Sequence, residues 1–227
     1  MIISHKHKFI FIKTKKTAGT SIEIALSTIC GDDDIITPIN DEDELIRKEI
    51  SNRNAQNYEI PFSKYSIKDW LRGLKNRKRL LFYNHIPASD LKNYIDSKVW
   101  NNYYKFSFDR HPINKSISHY KWRGMKNKYV DFDSYLNSGD IHIIKGENFY
   151  MDSQGNYLVD KVYKMEEMDK AFNEISETLG TPLNAPKFNT KKSEINPSLN
   201  YDTIQHKFGK QLEKIFKIEY KDLYNND

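Results

Sequence analysis

The stretch Phe9-Ile10-Phe11-Ile12-Lys13-Thr14-Lys15-Lys16-Thr17-Ala18-Gly19-Thr20-Ser21-Ile22 decides the fold of this chain. Phe9 to Ile12 is an unbroken apolar run, the pattern of a strand buried on both faces of a parallel sheet. A basic loop with one glycine follows. Ile22, Ala25, Leu26 and Ile29 then recur at i, i+3, i+4 and i+7, which is one face of a helix, and Gly31 is placed as its stop. A strand, a basic loop and a helix in that order build an anion cradle from main-chain N–H groups, a lysine and two hydroxyls. The loop is not a Walker A motif, in which the lysine directly follows the final glycine. Here Lys16 precedes Gly19 by three positions, and the first glycine of that motif is absent.

The rest of the chain extends the same alternation. Residues 80–83 (Leu-Leu-Phe-Tyr) read as a second buried strand, residues 103–108 as a third and residues 158–165 as a fourth. The acidic run from Asp41 to Glu44 suits a helix N-terminus. Ile67, Trp70, Leu71 and Leu74 mark a helical face, and Pro87 opens a helix through Leu91 and Ile95. Ile113, Ile117 and Tyr120 mark another helix, residues 169–179 one stopped by Gly180, and residues 201–224 a terminal one, while residues 139–155 read as loop-rich. No repeat or low-complexity linker interrupts the chain. The expectation is one domain over residues 1–227, an α/β three-layer fold with a central, mainly parallel sheet flanked by helices.

The bulk composition narrows the classes of function. At 227 residues, 38% hydrophobic and 30% charged, the chain has the makeup of one globular domain. Its apolar runs are too short to span a bilayer, and its first residues lack the apolar core of a signal peptide. Cys30 is the single cysteine, so neither an internal disulfide nor a Cys-based zinc site is available. These features point to a cytoplasmic protein, and a chain starting at its own Met1 favours that over a trimmed, anchored domain. A net charge of +5 favours anionic ligands without indicating nucleic acid.

Two further loci carry chemistry. Arg110 follows the third strand, with Pro112 two residues on and Ser118 eight residues on. An arginine fork holds a phosphate through paired, charge-assisted hydrogen bonds. His85 follows the second strand, and an imidazole with an ordinary pKa near ~6.5 can take a proton from a hydroxyl at neutral pH. In an open parallel sheet the loops after successive strands meet in one crevice, so Lys16, His85 and Arg110 are expected to converge.

Lys16-Thr17-Ala18-Gly19-Thr20-Ser21 resembles the 5′-phosphosulfate loop of sulfotransferases, with Lys15 where that family usually has proline. The segment from Phe106 to Trp122 resembles the family's 3′-phosphate motif, in which Asp109 replaces a valine-like residue and is expected to point away from the phosphate. Residues 84–89 look like the region that supplies the histidine base in carbohydrate sulfotransferases. Weaker likeness continues through residues 162–169 and returns at Lys192 and Ser193. The chain as a whole resembles the group that includes heparan and dermatan sulfate 2-O-sulfotransferases and bacterial relatives.

The resemblance implies a P-loop-like fold and the donor 3′-phosphoadenosine 5′-phosphosulfate (PAPS), with adenosine 3′,5′-bisphosphate (PAP) as product and no metal. It implies that Lys16, Thr17, Ala18, Gly19, Thr20 and Ser21 hold the 5′-phosphosulfate, that Arg110 and Ser118 hold the 3′-phosphate, and that Lys192 and Ser193 also belong to the donor site. His85 is implied as the base and Lys16 as the group that neutralises the leaving oxygen. The expected acceptor is a hydroxyl, on a glycan ahead of a small molecule, and residues 32–79 and 123–157 are expected to select it. Oligomeric state is not read from the sequence.

Two other readings stand beside this one: a P-loop-like small-molecule kinase, and a non-catalytic binder of nucleotides or polyanions. The segment from Lys64 to Arg79, with seven basic residues and the single acid Asp69, reads either as a grip on an acidic glycan or as a solvated helix face. Trp70, Trp100 and Trp122 read either as sugar-stacking platforms or as core residues, with the core expected, and His111 and His119 are expected as structural or exposed residues.

Overall fold

The computed structural model describes residues 1–124, 128–186 and 199–224. Lys192 and Ser193 lie outside the described residues. The core is a five-stranded mixed sheet flanked by helices. Its strands are β1 (Ile2–Ser4), β2 (Phe9–Ile12), β3 (Ile35–Ile36), β4 (Tyr104–Asp109) and β5 (Lys161–Lys164), in spatial order β3-β1-β2-β4-β5. The β2–β4 and β4–β5 pairs are parallel, with Phe11 opposite Phe106 and Phe108 opposite Tyr163. The β1–β2 and β1–β3 pairs are antiparallel. The sheet is therefore mixed, with its parallel part at the strands that carry the basic loop and Arg110.

Strand β2 is buried on both faces, as its unbroken apolar run predicts. Ile10 and Ile12 enter one core with Met1, Ile3, Phe82, Ile86 and Leu91. Phe9 and Phe11 enter the opposite core with Ile22, Leu26, Phe106, Phe108 and Phe172. Strand β4 differs. Phe106 and Phe108 are apolar on one face, while Ser107 and Asp109 on the other are fully buried polar residues. The Ser107 hydroxyl donates to the Ile12 carbonyl at 2.8 Å, a bond that satisfies a buried polar group.

The helices in chain order are α1 (Gly19–Ser27), α2 (Asp41–Ser51), α3 (Ile67–Asn76), α4 (Ala88–Tyr94), α5 (Ser97–Asn102), α6 (Pro112–Gly124), α7 (Phe132–Asn137), α8 (Glu147–Tyr150), α9 (Met168–Leu179), α10 (Tyr201–Ile215) and α11 (Lys217–Glu219). α1 buries Ile22 and Leu26 as its spacing predicts, but ends at Ser27, before Gly31. α9 ends at Gly180, whose φ of 61° gives the left-handed C-terminal cap. A third apolar cluster joins Ile113 and Ile117 of α6 to Tyr135 and Leu136 of α7 and to Ile204 and Leu212 of α10.

The expected strand at residues 80–83 is not part of the sheet. This segment forms only an isolated bridge, Glu59 to Leu81, flanked by Phe82 N–H to the Tyr58 carbonyl at 2.8 Å and Ile60 N–H to the Leu80 carbonyl at 3.0 Å. Phe82 is buried while Leu81 and Tyr83 are exposed, so the segment has one buried face rather than two. The terminal helix is also shorter than expected: α10 stops at Ile215, and α11 and a π-turn over Tyr220–Tyr224 complete the segment. No helix among the described residues is long and apolar enough to cross a membrane.

Candidate functional site

The loop between β2 and α1 holds two non-glycine residues in the left-handed region. Lys16 and Ala18 both have positive φ, 64° and 56°. Each non-glycine residue held there costs about 1–2 kcal/mol. Ala18 caps α1 without any side-chain hydrogen bond, and no acidic residue occupies the first turn. The helix thus begins with N–H donors that no side chain caps and a positive dipole end that no carboxylate offsets.

Gly19 is fixed by a close approach. A Cβ at this position would lie 2.7 Å from Cγ of Lys13 and 2.9 Å from its Cε. Lys13 cannot swing aside, because its Nζ donates to Glu23 at 2.5 Å and to Thr20 Oγ1 at 3.1 Å in a buried setting. Glu23 is itself fully buried on α1, with the Met1 amino group and the Arg47 guanidinium also nearby. Burial, reinforced by the Arg47 charge, holds the Lys13 ammonium down to a pKa of about 7.

Above this loop lies a cleft of about 560 Å³. Its floor is the loop itself, including Lys15, Lys16, Gly19, Thr20 and Ser21. His85 enters from the segment before α4, while His119, Trp122 and Arg123 enter from α6 and Ile143 from the turn after α7. Thr17 is buried, and its hydroxyl is engaged with the Thr14 hydroxyl at 2.9 Å, leaving its main chain as what it could offer a ligand.

Lys16 Nζ sits 5.5 Å from the centre of the Trp122 ring, and Lys15 Nζ sits 5.7 Å from the Phe149 ring. Among the described residues neither lysine has a carboxylate at ion-pair distance. Burial and the Arg110 charge depress the Lys16 pKa, and burial and the Arg123 charge depress that of Lys15. Arg123 reaches Asp140 at 3.4 Å, yet its buried Nε finds no hydrogen-bond partner among the described residues. These cations repel one another and have lost water, so an anion is the ligand that would relieve both costs.

His85 Nδ1 is 3.1 Å from the Lys13 carbonyl oxygen. A carbonyl only accepts, so the proton resides on Nδ1 and Nε2 keeps its lone pair. Burial, then the charges of Lys13 and Lys15, lower the His85 pKa to about 4, which keeps the ring neutral at pH 7. His119 is likewise neutral at pH 7: burial and the charges of Arg123 and Lys16 lower it to about 4, and its Nδ1 meets Tyr135 Oη at 2.8 Å.

Arg110 and Ser118 are half-buried, and neither lines the cleft. Arg110 lies at the end of β4, close enough to Lys16 to depress it, and its own strongest carboxylate influence is Glu166. Ser118 stands one helical turn before Trp122 on α6, so the two share a face. The Asp109 carboxylate stays beside Arg110, accepting from its main-chain N–H at 2.7 Å. It is fully buried, paired with Lys115 at 2.5 Å, and accepts from the Tyr150 hydroxyl at 2.9 Å.

Sequence reasoning missed Lys13 and His119 as cleft residues, reached Arg123 and Ile143 only as part of a longer segment, and set Trp122 in the core ahead of a sugar-stacking role. Trp122 had a legible signal in its i+4 spacing from Ser118; the others depend on tertiary packing. The expectation that Trp70 and Trp122 lie in the core is corrected, since they are 46% and 44% exposed, whereas Trp100 is buried. Of the two segments expected to select an acceptor, residues 123–157 supply Arg123 and Ile143 to the cleft, and residues 32–79 supply no lining residue among those described. The chain has no match among protein-family models, curated proteins or solved structures.

Proposed function

We propose that the chain is a sulfotransferase with a P-loop-like donor loop, moving a sulfuryl group from PAPS to an acceptor hydroxyl, on a glycan or a small alcohol. The observation that carries this reading is the joint presence, in one cleft, of an uncapped basic loop and a neutral histidine with its Nε2 available. Lys15, Lys16 and the main-chain donors of Gly19, Thr20 and Ser21 suit the phosphosulfate, and Arg110, whose charge reaches Lys16, suits the 3′-phosphate with Ser118.

In the reaction the acceptor oxygen forms a bond to sulfur as the bond from sulfur to the bridging phosphate oxygen breaks. The acceptor proton passes to Nε2 of His85. Lys16 neutralises the charge that develops on the bridging oxygen. The protein's task is positioning and charge stabilisation, as in phosphoryl transfer. A pKa of about 4 makes His85 a weak base in the free protein. Negative charge from a bound phosphosulfate raises that proton affinity where it is needed, by offsetting Lys13 and Lys15.

The test is transfer of labelled sulfate from PAPS to a panel of glycans and small alcohols. Label in an acceptor, lost in His85→Ala, supports the proposal. No transfer to any acceptor class, with ATP-dependent phosphorylation in its place, would overturn it in favour of the kinase reading.

A further inference from the structure

Helix α3 is mounted in reverse. A surface helix ordinarily turns its apolar stripe to the core. α3 instead turns in its short polar side. Asp69 is buried, where it completes a capping box with Ser66 and accepts from the Tyr94 hydroxyl at 3.3 Å. A Cβ on Gly73 would lie 3.8 Å from the Tyr65 ring. The apolar stripe faces outward: Ile67 is 82% exposed, Leu71 64% and Leu74 71%. These positions follow i, i+4 and i+7, so they form one continuous ridge.

Charge runs beside that ridge. Lys68, Arg72 and Lys75 are exposed on the adjoining face, and among the described residues none has a carboxylate at ion-pair distance. Arg77 and Lys78 follow the helix cap and are also exposed. The one acid of the helix, Asp69, is withdrawn into the capping box, so nothing on the outward face opposes the positive field.

We propose that the outward face of α3 docks on an anionic lipid surface. An interfacial helix has this composition: branched aliphatics on one side, lysine and arginine beside them. A soluble polyanion would use the cations but leave the aliphatic ridge in water. A neutral protein groove would cover the ridge but not the five cations. Acidic headgroups above an acyl boundary satisfy both, and the charge complementarity selects that occupant. The inference stands on α3 alone and is independent of the reading of the cleft.

The experiment is sedimentation of the full chain with vesicles of phosphatidylcholine, with and without added phosphatidylserine. Partition is expected only with phosphatidylserine. Two variants dissect it, both confined to exposed positions, with thermal melts confirming that each still folds. I67S/L71S/L74S removes the ridge without altering charge, and K68Q/R72Q/K75Q removes charge without altering the ridge. Each should weaken partition at least about tenfold. The proposal is overturned if wild type ignores both vesicles. It is also overturned if I67S/L71S/L74S sediments with phosphatidylserine vesicles and binds heparin as wild type does, which would make the face a polyanion grip. A lipid-free dimer abolished by the same serine variant would assign the ridge to a second copy instead.

Discussion

Nδ1 of His85 lies 3.1 Å from the main-chain oxygen of Lys13, the residue that also anchors the basic loop through Thr20 and Glu23. One residue therefore fixes both halves of the site: its carbonyl sets the tautomer of the proposed base, and its ammonium props the first turn of α1.

Replacing the imidazole should separate binding from chemistry. His85→Ala is expected to bind PAP as wild type does and to lose about 10²–10⁴-fold in turnover. The acid limb of kcat/KM for wild type should lie well below pH 6.5, because His85 in the free protein titrates at about 4. A limb near the ordinary imidazole pKa, or unchanged turnover in His85→Ala, would remove His85 from the mechanism.

The same depressed pKa has a consequence for stability. The unfolded chain protonates His85 near ~6.5, whereas the folded chain resists until about 4. Between those values the unfolded state binds more protons, so stability is fully present above ~6.5 and falls as pH drops toward ~4. The loss attributable to His85 is about 3 kcal/mol when fully developed. Urea midpoints across this window should fall less steeply for His85→Gln than for wild type, with His119 and the buried Met1 amino group adding slope in the same direction in both. Identical slopes would contradict the assignment.

The loop's strain gives a pair of opposite substitutions. Gly19→Ala places a methyl 2.7 Å from a Lys13 side chain that two partners hold in place. It should cost about 1–3 kcal/mol by overpacking. Ala18→Gly relieves a φ of 56° and should leave the fold as stable or raise it by about 1 kcal/mol. Denaturant melts decide both, and a neutral Gly19→Ala would show that Lys13 yields.

Much of the basic loop was readable from residue order. Phe9 to Ile12 announced a strand buried on both faces, and the helical spacing from Ile22 to Leu26 announced the helix that presents its N-terminus. The mixed character of the sheet was not readable, because β1 and β3 contribute only Ile2–Ser4 and Ile35–Ile36, too short for periodicity to register. Residues 80–83 misled for the opposite reason: four apolar residues matched a buried strand, yet only alternate ones are covered. Nor could spacing reveal that His119 and Arg123 line the cleft while Arg110 and Ser118 do not, since that depends on how α6 rotates against the loop. Helix α3 kept its periodicity but reversed its orientation, because Asp69 and Gly73 give it a polar, slender side to turn inward.

The central claim is that the basic loop and Arg110 together hold a nucleotide phosphorylated at both ends. Calorimetric melting with PAP and no magnesium tests it most directly. Wild type should gain about 2.7 kcal/mol at a hundredfold excess over Kd, and Lys16→Ala and Arg110→Ala should each weaken binding by about 1.5–3 kcal/mol. Stabilisation by ATP with magnesium alone, or an undiminished response to PAP in both variants, would contradict it.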